Sequence, residues 1–230
     1  MIDLFLIFTH NLALGLCLEF PTKDSQIYMA GSEEGYIYRC SCSYNDQHLD
    51  VTKGHDGPVN KIRSSPFIPE ILLSCSPDWT VKLWKTNYST SANSNVTNLI
   101  AEFHSLNLFD SVHDIVWSPT ISTVFALVAG DGRVEVWDLS KSFHDPILID
   151  LGADKGENFQ RLSIVFGGDI SGSHVLVTGS NDGSIEIFDI DSYNSSASDE
   201  IGIFSRRKKQ VEVLQKIVAE KIKDVEALRK

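Results

Sequence analysis

His55 is the residue in this sequence whose type most readily suggests catalysis, with Ser74 and Asp78 close by in the chain. No G-x-S-x-G elbow presents a nucleophile, and no H-E-x-x-H, G-x-x-x-x-G-K phosphate loop or strand-borne G-x-G-x-x-G is present. The remaining histidines, His10, His48, His104, His113, His144 and His174, are scattered with no pair at ligand spacing. Cys40 and Cys42 form a C-x-C that lacks the paired C-x-x-C knuckles of a zinc site. If both lie on one strand they share a face, which reads as ordinary small apolar packing. Carboxylates are abundant but fall at turn positions, where Asp and Glu serve the backbone. The expectation is therefore a binding module and not an enzyme, with no catalytic, cofactor-binding or metal-ligating residue and no small-molecule substrate.

The elements that position these residues begin with composition. The chain has 230 residues, 42% hydrophobic and 22% charged, enough to bury a sizeable core. Its net charge of −11 argues against a nucleic-acid partner, because such a surface repels phosphate. Residues 206–230 hold nine basic and four acidic side chains, so a basic tail follows an acidic body. Four cysteines in a chain this long need no disulfide framework and point to the cytosol. The apolar stretch Met1 to Leu18 is short, interrupted by Thr9, His10 and Asn11, and lacks a basic leader. It reads as a buried strand, or as a chain that begins inside a domain, with no membrane insertion.

An internal repeat organises the middle of the chain. Four segments share a β-prone run, a Gly/Asp/Ser turn and an alternating strand that closes on an aromatic: Ile27 to Tyr38, Leu72 to Trp84, Phe125 to Trp137, and Val175 to Phe188. The closing aromatics Tyr38, Trp84, Trp137 and Phe188 recur at roughly the length of one four-stranded blade plus loops. Asp131-Gly132 and Asp182-Gly183 supply positive φ to tight hairpins, and Glu34-Gly35 approximates them. Short strands before two of the hairpins stop at Ser-Pro, at Pro66 and Pro119. The fold expected is all-β, a partial WD40-type β-propeller of about 3.5 to 4 blades over residues 1–190, with blade ends near 38, 84, 137 and 188. A Ser/Asn-rich linker over 191–205 and a basic amphipathic α-helix over 206–230 follow, and Thr86 to Asn98 reads as an insertion between blades. In the helix Val211, Leu214, Val218, Val225 and Leu228 take a/d spacing, with Ile217 and Ile222 beside them and Lys221 at one core position. Its stripe is expected to pack on the propeller or a partner. Arg206 to Lys209 would lie outside the helix, since a helix N-terminus disfavours cations.

The second repeat is the most complete. Gly54-His55, Ser74, Asp78 and Trp84 match the structural tetrad that ties a WD-repeat blade together by hydrogen bonds; the third and fourth repeats have no histidine at that place and are expected to hold mainly by packing. Gly31-Ser-Glu-Glu-Gly-Tyr-Ile-Tyr-Arg-Cys-Ser41, Leu49-Asp50, Ser74-Cys-Ser-Pro-Asp-Trp-Thr-Val-Lys-Leu-Trp84, Asp114-Ile-Val-Trp-Ser-Pro and Ser122-Thr-Val-Phe-Ala126 resemble the C-terminal WD-repeat half of dynein intermediate chains, most closely the axonemal members. Asp78-Trp79, where a generic blade has Asp-Gly, is particular to that resemblance. It covers about residues 14 to 190 and fades after Gly152. It implies a non-catalytic subunit whose propeller holds a dynein heavy chain, in a complex with other intermediate chains and light chains, in the cytoplasm, the cytoskeleton and the ciliary axoneme. Propellers of the family usually close with seven blades, so the chain reads as a short isoform or partial product. The alternative is a WD-repeat scaffold of intraflagellar or vesicle-coat transport.

Overall fold

The computed structural model describes residues 5–8, 11–21, 26–43, 48–86, 98–104, 110–152, 159–167, 175–190 and 203–228. The interior of the expected insertion (87–97) and most of the expected linker (191–202) lie outside them. Among the described residues sixteen strands form four antiparallel sheets, and one helix follows. Successive strands neighbour one another in every sheet, the up-and-down order of propeller blades. The first sheet holds β1 (Phe5–Phe8), β2 (Asn11–Glu19), β3 (Ile27–Ser32), β4 (Tyr36–Ser41) and β5 (Asp50–Lys53). The second holds β6 (Lys61–Ser64), β7 (Ile71–Cys75), β8 (Val81–Lys85) and β9 (Asn98–Phe103). The third holds β10 (Val112–Trp117), β11 (Val124–Ala129), β12 (Val134–Asp138) and β13 (Leu148–Asp150), and the last β14 (Arg161–Phe166), β15 (Val175–Ser180) and β16 (Ile185–Asp189). The chain divides into two compact units, Met1–Ile115 and Val116–Lys230.

In the first unit, Met29 and Ile37 pack with Val59, Ile62, Leu72 and Trp84, with Cys17 and Leu99 at the margin. These are one alternating face of β3 and β4 laid against the second sheet. The N-terminal stretch forms two paired strands, with Phe5 opposite Leu14 and Phe8 opposite Asn11. The expectation of a buried strand is corrected for β2, where Leu14, Leu16 and Leu18 are 39%, 44% and 37% exposed. A register shift between Gly15 and Cys17 interrupts the alternation of β2 there, and Cys17 packs at the margin of the core while the three leucines stay exposed.

In the second unit the core joins Val124, Ala126, Val128, Val134 and Val136 to Ile164 and Leu176 of the last sheet. Trp117 meets Phe125 edge-on at 5.9 Å, and Phe125 stacks on Trp137 at 6.1 Å. The opposite face of the last sheet is open, with Ile185 73% and Ile187 70% exposed. Helix α1 (Ile203–Leu228) begins three residues before the expected boundary at 206, and the expectation that Arg206 to Lys209 lie outside it is corrected: the basic run is helical. Arg207, Lys208 and Lys209 are exposed there, where water screens the unfavourable dipole term. Leu214 and Val218 are buried, and Val211, Ile217, Ile222 and Val225 are half-buried along the same stripe. Gln210 clamps the loop before β11: its Oε1 accepts from Ser122 N at 2.9 Å, and its carbonyl accepts from Ser122 Oγ at 2.7 Å. Lys221, at its apolar position, sets its ammonium 4.9 Å from the Phe143 ring centroid.

The hairpins differ in one respect from the tight turns expected. Positive φ occurs once per turn, at Gly35 (+85°), Gly132 (+83°) and Gly183 (+83°), and not at the preceding acidic residue. Gly132 N bonds to Ala129 O and Ala129 N to Arg133 O, a type I turn followed by a left-handed residue that closes a bulge. The aspartate before the glycine acts through its side chain, Asp131 Oδ1 accepting from Arg133 N and Asp182 Oδ1 from Ser184 N. At Gly35 a Cβ would also lie 2.1 Å from His55 O, so glycine is required twice over.

Candidate functional site

Loop residue His55, β7 residue Ser74, turn residue Asp78 and β8 residue Trp84 come together as the sequence spacing suggests. Trp84 Nε1 donates to Ser74 Oγ at 2.9 Å, Ser74 Oγ lies 2.7 Å from His55 Nε2, and His55 Nδ1 lies 2.9 Å from Asp78 Oδ2. Indole N–H can only donate and carboxylate only accept, so Trp84 donates to Ser74 and His55 Nδ1–H donates to Asp78, while the direction of the Ser74–His55 bond depends on the charge of the imidazole. Thr80 N and Thr80 Oγ1 donate to Asp78 Oδ1 at 3.1 and 2.7 Å, and Asp56 N donates to Oδ2 at 3.0 Å. Burial works against ionising Asp78, but the His55 bond and charge, then the Thr80 and Asp56 donors, outweigh it and hold the carboxyl well below the usual carboxylate range.

The order of bonds is that of a serine hydrolase relay, but the access is not. Ser74 is fully buried and His55 is 1% exposed, and the serine oxygen already accepts the indole proton. The relay therefore connects loop, strand, turn and strand of one blade, a structural tetrad in geometry. Among the described residues no group of three or more His, Cys, Asp or Glu could hold a metal ion. Cys40 ends buried in β4, whereas Cys42 lies beyond the strand and is exposed, so the two do not share a strand face.

Counted from the turn, Gly35 aligns with Trp79, Gly132 and Gly183, and the residue at the place of Trp84, Trp137 and Phe188 is Cys40. Strand register agrees: Cys40 pairs with Tyr28 as Trp84 does with Leu72 and Trp137 with Phe125. Tyr38 as closing aromatic is thus corrected by two residues. It pairs with Ala30 and Val51 on the same face and packs edge-on against His48 at 5.5 Å.

The third and fourth blades do not hold by packing alone. In the third, Leu127 stands in register where the second has Ser74. Trp137 Nε1 turns instead to Glu135 Oε2 at 2.9 Å, Glu135 Oε1 binds Arg133 Nε at 2.6 Å, and Arg133 reaches Asp131 Oδ2 at 2.6 Å. Arg133 and Glu135 are each 1% exposed, so this is a buried ionic chain within one hairpin. In the fourth, Phe188 has no N–H to donate, and Glu186 pairs with Arg161 at 2.7 Å. Arg161 also meets Asp150 at 2.9 Å, donates to Gly132 O, and sets its guanidinium 5.3 and 5.2 Å from the ring centroids of Phe159 and Phe188. Alternation held a signal for the third blade: Arg133, Glu135 and Trp137 share parity, so a buried Trp137 implies that its two charged neighbours face the same interior.

Comparison with known proteins follows this geometry. The family model of the dynein axonemal intermediate chain 3 WD40 domain matches residues 42–150. Dynein axonemal intermediate chain 4 of Xenopus laevis is 44% identical over 142 residues, covering 62% of this chain and 18% of that protein. The protein of the same name from Homo sapiens is 38% identical over 178 residues, 77% of this chain and 19% of its own length. The chain thus spans about a fifth of the length of these relatives. Among solved structures, the β-propeller domain of Cps50 (Swd1) from Myceliophteria thermophila superposes with a TM-score of 0.63 at 12% identity, covering 77% of this chain and 54% of that one. That likeness establishes a partial WD40-type propeller. The WD-repeat region of this chain belongs to the axonemal dynein intermediate chain family.

Proposed function

We propose that the chain is a non-catalytic subunit of an axonemal dynein complex, which docks a dynein heavy chain through its WD-repeat sheets and so supports microtubule-based ciliary movement. The observation that carries this reading is the 38–44% identity to axonemal intermediate chains across the blades. The buried relays support it, because polar side chains that could react are spent holding blades and leave the exposed turns as contact surface. Other intermediate chains and light chains complete the proposed assembly, located in the axonemal cytoskeleton. Among the described residues no helix is long and apolar enough to cross a membrane.

The test is a pull-down from ciliated-cell extract with this chain and a full-length intermediate chain side by side. Recovery of a dynein heavy chain by both is the expected result. Recovery by the full-length chain alone overturns the reading for this chain. Co-fractionation with membranes, with no release alongside dynein in high salt, would favour a vesicle-coat scaffold instead.

A further inference from the structure

The four aligned hairpin turns place Gly35, Trp79, Gly132 and Gly183 at one position, with φ of +85°, +73°, +83° and +83°. Three glycines take this left-handed backbone freely, whereas the Cβ of a tryptophan crowds the following carbonyl. The turn's backbone is fixed by bonds from its neighbours: Asp78 N bonds to Ser76 Oγ, Thr80 N to Asp78 Oδ1, and Asp56 N to Asp78 Oδ2. The fold thus holds a bulky aromatic in a conformation that glycine would adopt without strain, the mark of a residue kept for contact. Trp79 is 48% exposed, while Trp84, Trp117 and Trp137 are at most 5% exposed. The loop beside it joins this turn to that of the first sheet, Gly54 N and His55 N donating to Gly35 O at 2.9 and 3.0 Å. Exposed Glu33, Glu34 and Asp56 lie on these linked turns.

We propose that Trp79 anchors a protein-binding surface on the first unit, and that its partner is a basic segment. An arginine or lysine of that segment stacks on the indole while its basic neighbours face Glu33, Glu34 and Asp56. This deepens the proposed function and rests on it, the segment being part of the heavy-chain tail. Tryptophan buried at an interface is among the residue types enriched in binding hot spots.

The probe is a purified axonemal dynein heavy-chain tail, titrated against the full chain labelled with 5-fluorotryptophan. Trp79→Gly is expected to raise the melting temperature, because strain is relieved, and to weaken binding about tenfold or more. The fluorine resonance that this variant lacks is the one expected to shift when unlabelled tail binds the parent chain. Binding is expected to fall with added salt and with Glu33→Gln, Glu34→Gln and Asp56→Asn combined. Unchanged affinity of Trp79→Gly, with the parent chain still binding, overturns the anchor and leaves the heavy-chain reading standing. A lowered melting temperature assigns the indole to the fold and overturns it as well. Salt-independent binding overturns the basic partner, and failure of the parent chain to bind overturns both this proposal and the reading beneath it.

Discussion

Replacing Asp78 by alanine tests whether the tetrad holds the second blade. The carboxylate accepts from four donors, His55 Nδ1, Asp56 N, Thr80 N and Thr80 Oγ1, and its side chain is 13% exposed. Alanine leaves the buried His55 Nδ1–H without its acceptor, a cost of about 1–3 kcal/mol. Thr80 Oγ1, 3.1 Å from the same nitrogen, recovers part of that loss. The Asp56 and Thr80 amides lie near the surface, where water replaces the carboxylate at about 0.5–1 kcal/mol each. The net expectation is a destabilisation of about 2–3 kcal/mol. Asp182→Ala, where the carboxylate supports the exposed amide of Ser184 at 2.8 Å, is expected to cost under about 1 kcal/mol. Urea unfolding followed by far-ultraviolet circular dichroism measures both. The pH dependence is a second arm. Because the folded carboxyl titrates below its ordinary value, its contribution is complete above about pH 4 and is lost as pH falls from there toward the depressed folded value. Asp78→Asn is therefore expected to flatten the acid limb of the stability curve while leaving its shape at neutral pH. Equal losses for Asp78→Ala and Asp182→Ala, together with an unchanged acid limb, would refute the tetrad as a determinant of stability.

Three further expectations follow from the packing. Trp84→Ala deletes a 3% exposed indole and takes one of its two side-chain partners from Ser74 Oγ, and is expected to cost about 3–5 kcal/mol in the same unfolding assay; a melting temperature that hardly moves would remove the blade assignment. Glu135→Ala leaves buried Arg133 with Asp131 and takes the acceptor from Trp137 Nε1, an expected loss of about 3–5 kcal/mol, and an effect under about 1 kcal/mol would show that water reaches the site. Removing residues 206–230 is expected to lower the helical signal at 222 nm and keep the sheet signal, because the contacts of Gln210 and Lys221 fall on loop residues Ser122 and Phe143; collapse of the sheet signal would make the helix part of the core.

The sequence made the blades legible because each hairpin repeats a local instruction: alternation sets the faces, an aspartate supports the turn, and a glycine admits positive φ. The tetrad was legible for the same reason, since all four residue types stand at fixed places in one repeat. Tyr38 was misassigned because an aromatic two residues early has the right parity and hence the right face; only the register from Gly35, with Cys40 opposite Tyr28, separates the two. The helix start was misplaced because the dipole rule weighs cations as though they were unscreened, and Arg207 to Lys209 are in water. The exposure of Leu16 on β2 could not be read from alternation, which gives two faces but not which of them another sheet covers.

The relays of the later blades were missed for a deeper reason, which also explains how one architecture tolerates such different residues. Each blade must give a partner to whatever polar group its closing position buries, but the partner can come from any strand that reaches it. Where the register supplies Ser74, Trp84 binds a hydroxyl that a loop histidine completes. Where it supplies Leu127, the indole takes Glu135 from its own strand, and a buried carboxylate then demands Arg133. Where Phe188 removes the donor altogether, Glu186 of β16 is satisfied by Arg161, which reaches it from β14 across β15 and ties the third and fourth sheets through Asp150 and Gly132. The constraint is on the count of buried donors and acceptors and not on residue identity, so a motif defined by identity finds only one of these three blades. It follows that Arg161, outside every repeat signature, joins two sheets, and that Trp79, inside the most complete signature, stands 48% exposed on its turn.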